Sequence, residues 1–147
     1  MNKLLITLFA ILLFSCDEEK VDVDLNFIRY GSSFGECLGY CITDIEVTST
    51  DAVKTRSGWN NSVTPKITVL QVSNSSYFEI ATSIDQQKFL DLDPVIGCPD
   101  CADGGSEWVE IEINGRLKKV TFEYNTNPEG LGDVLLQLRA LDESMNE

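Results

Sequence analysis

Apolar residues along this chain fall into short alternating runs, separated by glycine and small polar clusters. A period of two marks strands with one buried face. Val23, Leu25, Phe27 and Tyr30 outline a first strand, followed by a Gly-rich loop over residues 31–41. Ile42–Thr48, Ala52–Arg56 and Ile67–Val72 outline three further strands. The period then changes. Ser73, Asn74, Ser75 and Ser76 offer a cap to a helix from Tyr77 to Ser83, with Tyr77, Ile80, Ala81 and Ile84 at helical spacing. A second short helix is expected over Asp85–Leu90, turning Phe89 and Leu90 inward.

The strongest signal comes late. Glu107–Ile113 and Arg116–Tyr124 flank Asn114-Gly115, a pair suited to the left-handed dihedrals of a type I′ turn. A two-residue turn sets the register, pairing 113 with 116 and 109 with 120. Val109, Ile111, Ile113, Val120 and Phe122 then share the core face, and Glu110 stands opposite Lys119 on the other. Asn127-Pro128-Glu129 reads as a helix start: cap, proline, acid. Leu131, Val134, Leu135, Leu138 and Leu141 form the apolar stripe of that helix. Strands, short helices, a hairpin and a C-terminal amphipathic helix packed on it predict an α+β fold with a mostly antiparallel sheet. Residues 25–147 form that single domain.

The pattern changes again at the N-terminus. Lys3, an apolar run over residues 4–14, Ser15 and Cys16 have the order of a bacterial secretory signal ending in a lipobox. The apolar run is shorter than the ~20 residues that span a bilayer. Residues 1–15 are therefore expected to be removed and Cys16 acylated, with residues 16–24 as an acidic tether. Asp17-Glu18-Glu19 resembles the surface-export signal of Bacteroidetes lipoproteins. The expected address is the outer membrane, lipid-anchored and exposed at the cell surface.

Charge narrows the partners. The chain carries 24 Asp and Glu against 11 Lys and Arg, a net charge of −13. Removing residues 1–15 takes away Lys3 and makes the remainder more acidic. Such a surface repels phosphate backbones, so nucleic acid is not an expected partner. The chain has no histidine, which removes every Ser-His and Cys-His nucleophile pair. No catalytic residues and no cofactor are expected.

Beyond Cys16 the cysteines form two close pairs, Cys37 with Cys41 and Cys98 with Cys101. Outside the cytoplasm such a set reads first as disulfides, and of the three connectivities the two local bridges are favoured. Two other readings stay open. One is a tetrahedral zinc site made by the four thiolates. The other is thiol redox chemistry at Cys98-Pro99-Asp100-Cys101, although Asp100 and Asp103 would raise a thiol pKa there. Asp91, Asp93, Asp100 and Asp103 form an acidic group whose spacing does not fit an EF-hand. Trp59, Trp108, Tyr40 and Tyr124 either line a sugar or peptide surface or pack internally.

The stretch Phe34-Gly35-Glu36-Cys37-Leu38-Gly39-Tyr40-Cys41 resembles a bacterial family of secreted proteins and lipoproteins, frequent in Bacteroidetes. So do residues 96–105 through Trp108–Ile111 to Val120, and the final helix. Ile42 departs from the proline usual in that family after the second cysteine. The resemblance implies fold and location and assigns no activity. The expectation is an anchored module that binds a glycan, a peptide or an envelope protein, the alternative being a metal-binding or thiol-redox protein using Cys98 and Cys101.

Overall fold

The computed structural model describes residues 25–146. Cys16 and the expected signal peptide and tether lie outside the described residues.

Seven strands form one sheet: β1 Leu25–Ser33, β2 Ile42–Val47, β3 Asp51–Ser57, β4 Lys66–Gln71, β5 Val95–Ile96, β6 Ser106–Ile113 and β7 Arg116–Glu123. Their spatial order is β4-β3-β2-β1-β6-β7-β5, and every pair is antiparallel except β5 with β7. Three helices, α1 Asn74–Thr82, α2 Gln86–Asp91 and α3 Gly132–Ser144, complete the α+β fold.

The hairpin has the expected register. Ile113 pairs with Arg116, Val109 with Val120 and Glu110 with Lys119, while Asn114 and Gly115 adopt φ of 50° and 72° in the turn. Val109, Ile111, Val120 and Phe122 are fully buried. They pack with Ile28, Ile45, Val47 and Ala52 of the neighbouring strands beneath Phe89, Leu131, Leu135 and Leu138 of the helical layer. Among the described residues the helices thus cover one face of the sheet and leave the other open.

Local chemistry sets the helix ends. Ser73 Oγ accepts from Ser76 N at 3.1 Å and Asp85 Oδ1 from Lys88 N at 3.1 Å, so a hydroxyl and a carboxylate start α1 and α2. Lys118 Nζ donates to the carbonyls of Leu90 and Leu92, satisfying the far end of α2.

Two local expectations are corrected, and one strand goes unforeseen. α3 begins at Gly132 and not at Pro128. The Asn127 amide oxygen is taken by Arg139 Nη1 at 2.8 Å, and Gly130 turns left-handed at φ 90°, so a turn intervenes. β1 runs on through Gly31 to Ser33, where a loop was expected, because Gly31 pairs with Trp108 of β6 and lies beneath its indole. β5 is too short to leave a pattern and pairs parallel to β7.

Two charged side chains point into the helix-covered face. Lys54 is 2% exposed; its Nζ donates to the Asp142 carbonyl at 3.0 Å and to Asn146 Oδ1 at 2.7 Å. Glu107, also 2% exposed, binds Arg139 and accepts from Tyr30 Oη at 3.2 Å. Burial, reinforced by the Glu107 charge, pushes the Tyr30 phenol well above its ordinary range. Burial opposes the Arg139 charge, yet Glu107 outweighs it and the guanidinium holds its proton more tightly still. α3 is thereby fixed to the sheet at two polar points as well as by its apolar stripe.

Candidate functional site

Alternation of strand direction brings four loops to one end of the sheet. β1, β3 and β7 end there, and β2, β4 and β6 begin there. The loops are residues 34–41, 58–65, 97–105 and 124–131. They hold both disulfides and most of the exposed aromatic side chains.

Phe34 is the hub. Its carbonyl accepts from Trp59 Nε1 at 2.7 Å, joining the first and second loops. Its ring meets Tyr124 edge-on at 4.7 Å between centroids, joining the fourth. The same ring lies against Gly105, where a Cβ would stand 2.5 Å from Phe34 Cε1 and where φ is 81°, so glycine is required twice over. Gly35 N donates to Asp100 Oδ1 at 3.3 Å, tying the first loop to the third. Phe34 N donates to Cys41 O at 3.1 Å and closes the loop stapled by Cys37–Cys41.

Both local disulfides are present, with Cα separations of 5.6 Å for Cys37–Cys41 and 5.5 Å for Cys98–Cys101. Sulfurs bonded to each other are not thiolates offered to zinc. Cys101 opens a three-residue 3₁₀ turn, Cys101–Asp103, in place of a helix N-terminus that would stabilise a thiolate. The acidic group does not assemble. Asp91 ends α2 and accepts from Gln87, while Asp100 faces Gly35. Among the described residues no three His, Cys, Asp or Glu side chains converge at metal-binding distance.

The aromatic set divides. Trp108 lies within the open sheet face at 9% exposure, stacked over Gly31 and under Lys119 Nζ at 4.3 Å from its ring, so it leaves the group. Tyr40, Trp59 and Tyr124 stay at the loop end, exposed by 42%, 39% and 43%, beside fully exposed Leu38. Each is held in place: Tyr40 Oη donates to Thr64 O at 3.2 Å under the Arg56 guanidinium, Trp59 through Phe34 O, and Tyr124 against the Phe34 ring.

Beside Tyr124 is a cleft of about 340 Å³ lined by the Cys98–Cys101 bridge, Gly104, Gly105, Glu123, Tyr124 and Thr126. Glu123 Oε1 accepts from Cys98 N at 2.9 Å and fixes one wall. The four loops contain no Lys or Arg and hold Glu36, Asp100, Asp103 and Glu129. Left-handed backbone concentrates here as well: Asn60, Asn61, Asp100, Ala102, Asp103 and Asn125 all have positive φ, and only Asn114 does so elsewhere among described non-glycine residues. Asn and Asp tolerate that region; Ala102 at φ 52° does so at a cost of about 1–3 kcal/mol.

Sequence reasoning did not single out Phe34 as the hub, nor Lys54 and Glu107 as buried. The latter two were findable, because Lys54 shares the parity of buried Ala52, and Glu107 that of Val109 and Ile111. Phe34 makes its contacts across three loops, and no local pattern encodes them. Compared with protein-family models and with curated proteins, the chain matches none.

Proposed function

We propose that this chain is an envelope lipoprotein, anchored through acylated Cys16 and displayed at the cell surface, whose looped end binds a neutral glycan. The observation that carries the reading is the set of pinned, exposed aromatics Tyr40, Trp59 and Tyr124 in loops that hold acids and no base. Flat aromatic faces stack on sugar rings, and faces already fixed by internal contacts lose little entropy on binding. Arg56 stands over the Tyr40 ring, so acidity is confined to the Tyr124 side, where Glu123, Asp100 and Asp103 flank the cleft and disfavour phosphate, sulfate and uronate groups; a neutral chain is favoured there. The amides of Asn60, Asn61, Asn125 and Asn127 offer donors and acceptors to hydroxyl groups.

Chain direction supports display. The chain enters the sheet at Leu25, and β1 runs nine residues to Ser33, where the loops gather. An anchor at Cys16 would join the domain at the strand end opposite the loops, roughly 30 Å of strand away, and this supports display of the aromatic loops. The resemblance to surface lipoproteins agrees with that address. A peptide or an envelope protein is the competing ligand class.

The test uses the chain from residue 16 onward carrying Cys16→Ser. It is titrated with soluble β-glucan, mannan and xylan, and with polygalacturonate and heparin as anionic counterparts. Binding to a neutral polysaccharide, weakened about tenfold by Trp59→Ala and by Tyr124→Ala with the fold intact, is expected. Binding only to the anionic polymers, or neutral binding indifferent to both substitutions, sinks the reading. In cells, labelled palmitate is expected to enter the wild-type chain and not the Cys16→Ser variant.

A further inference from the structure

β4 forms one edge of the sheet, and its free hydrogen-bonding groups can be assigned. Thr48 N donates to Asp51 O at 2.8 Å, and Val72 N to Thr50 O at 3.0 Å. Both bonds continue the registers of β2 with β3 and of β3 with β4. In an antiparallel ladder the bonded positions alternate. β3 therefore turns Asp51, Val53 and Thr55 toward β2, and Ala52, Lys54 and Arg56 toward β4. On β4 their partners are Leu70, Thr68 and Lys66. The N–H and C=O groups of Ile67, Val69 and Gln71 point out of the edge.

The same residues send their side chains to the open face. Ile67 is 64% exposed and Val69 59%, and Val69 pairs directly with half-buried Val53. Among the described residues no helix covers them, and the strand has no bulge. Unprotected edges of this kind join further strands.

We propose that the β4 edge pairs antiparallel with β4 of a second copy, about a two-fold axis through Thr68. The strand is its own complement. Side chains directly opposite must share a face, so the axis passes through a residue and not between two. With the axis at Thr68, the outward-bonding Ile67 meets Val69 of the other copy, and Val69 meets Ile67. Four apolar side chains then gather on one face, flanked by both Val53 residues. With the axis at Val69, Ile67 instead meets Gln71. Charge favours this direction: antiparallel pairing about Thr68 sets Lys66 opposite Leu70 of the other copy, whereas in-register parallel pairing would set the two Lys66 side chains side by side. Pro65, lacking an N–H, limits the ladder at each end. One strand pair buries less than a standard interface of about 1,600 Å², so the dimer is weak and concentration-dependent.

Sedimentation of the chain from residue 16 onward, carrying Cys16→Ser, tests this over concentrations up to about 1 mM, where even −4 kcal/mol of association half-populates a dimer. A monomer–dimer equilibrium is expected, abolished by Val69→Pro. That substitution removes an outward N–H and leaves the bonds to β3 intact. Thr68→Cys faces itself in a non-hydrogen-bonded pair, with Cα atoms ~4.5 Å apart, within disulfide range. It is expected to oxidise to a covalent dimer, well ahead of Val69→Cys. A monomer at 1 mM overturns the proposal. So does faster cross-linking by Val69→Cys, or a Thr68→Cys rate no higher than that of Leu136→Cys on exposed α3.

Discussion

Lys54 Nζ lies 2.5 Å from Asp142 Oδ1, with the lysine 2% exposed and the aspartate side chain 27% exposed. The contact is Coulombic, and the hydrogen bonds of Nζ go to the Asp142 carbonyl and to Asn146. The burial is unequal, so the two halves of the pair are not equivalent. Asp142→Ala strands a buried ammonium and is expected to cost about 3 kcal/mol. Lys54→Met removes the buried ammonium and leaves a carboxylate whose Oδ1 is buried without a donor but whose side chain is partly exposed and can turn to water, so it is expected to cost less than Asp142→Ala. Urea unfolding of the two variants checks the order; equal losses would show that desolvation asymmetry does not govern the clamp.

Gly31 under Trp108 gives a second prediction. A methyl group at residue 31 would stand 2.2 Å from Trp108 Cζ2 and 2.6 Å from the Thr43 carbonyl oxygen. The indole cannot stay where it is, and Gly31→Ala is expected to cost about 1–3 kcal/mol. Trp108 fluorescence should shift toward that of a solvated indole. Wild-type emission from a stable Gly31→Ala protein would contradict the packing described.

Two carboxylates shift in opposite directions. Asp44, on the open face, is raised above the ordinary range by burial, against the opposing pull of Arg29 at 3.5 Å. The folded state therefore holds its proton more tightly than the unfolded state does. Its contribution favours folding below the ordinary carboxyl pKa and is lost as pH rises through its folded value. Asp85 is lowered, first by the Lys88 backbone N–H it accepts from. Its contribution is present above the ordinary value and lost as pH falls through its folded value. Asp44→Asn is expected to be more stable than wild type at pH ~7 and equal to it at pH ~3. Loss of stability at pH ~7 would mean that the Arg29 attraction outweighs burial.

The disulfides close small loops, with sequence separations of 4 and 3. Replacing either pair by serine is expected to cost about 2 kcal/mol on the loop-entropy relation. Joint replacement should depart from additivity, because Gly35 N to Asp100 Oδ1 couples the two loops. Non-reducing intact mass, short of the fully reduced value by about four hydrogens, confirms both bridges before the comparison.

Much of this architecture is local in origin. Alternation over residues 42–47 and 106–113, the Asn114-Gly115 turn and the Leu131–Leu138 stripe each encode an element within a few residues, and a two-residue turn leaves the hairpin one register. The close spacing of the cysteines likewise favoured the bridges the structure contains. Other features depend on chain segments meeting. Gly31 belongs to a strand only because Trp108 covers it, and Asn127 fails to start α3 only because Arg139 takes its amide. Phe34 becomes the hub of the loop end through partners up to 90 residues away along the chain, Tyr124 among them. Periodicity and turn chemistry act through neighbouring residues and can be read in one dimension. Buried ion pairs, glycine–aromatic contacts and converging loops depend on which distant segments the strand order brings together, and the tertiary structure alone decides that.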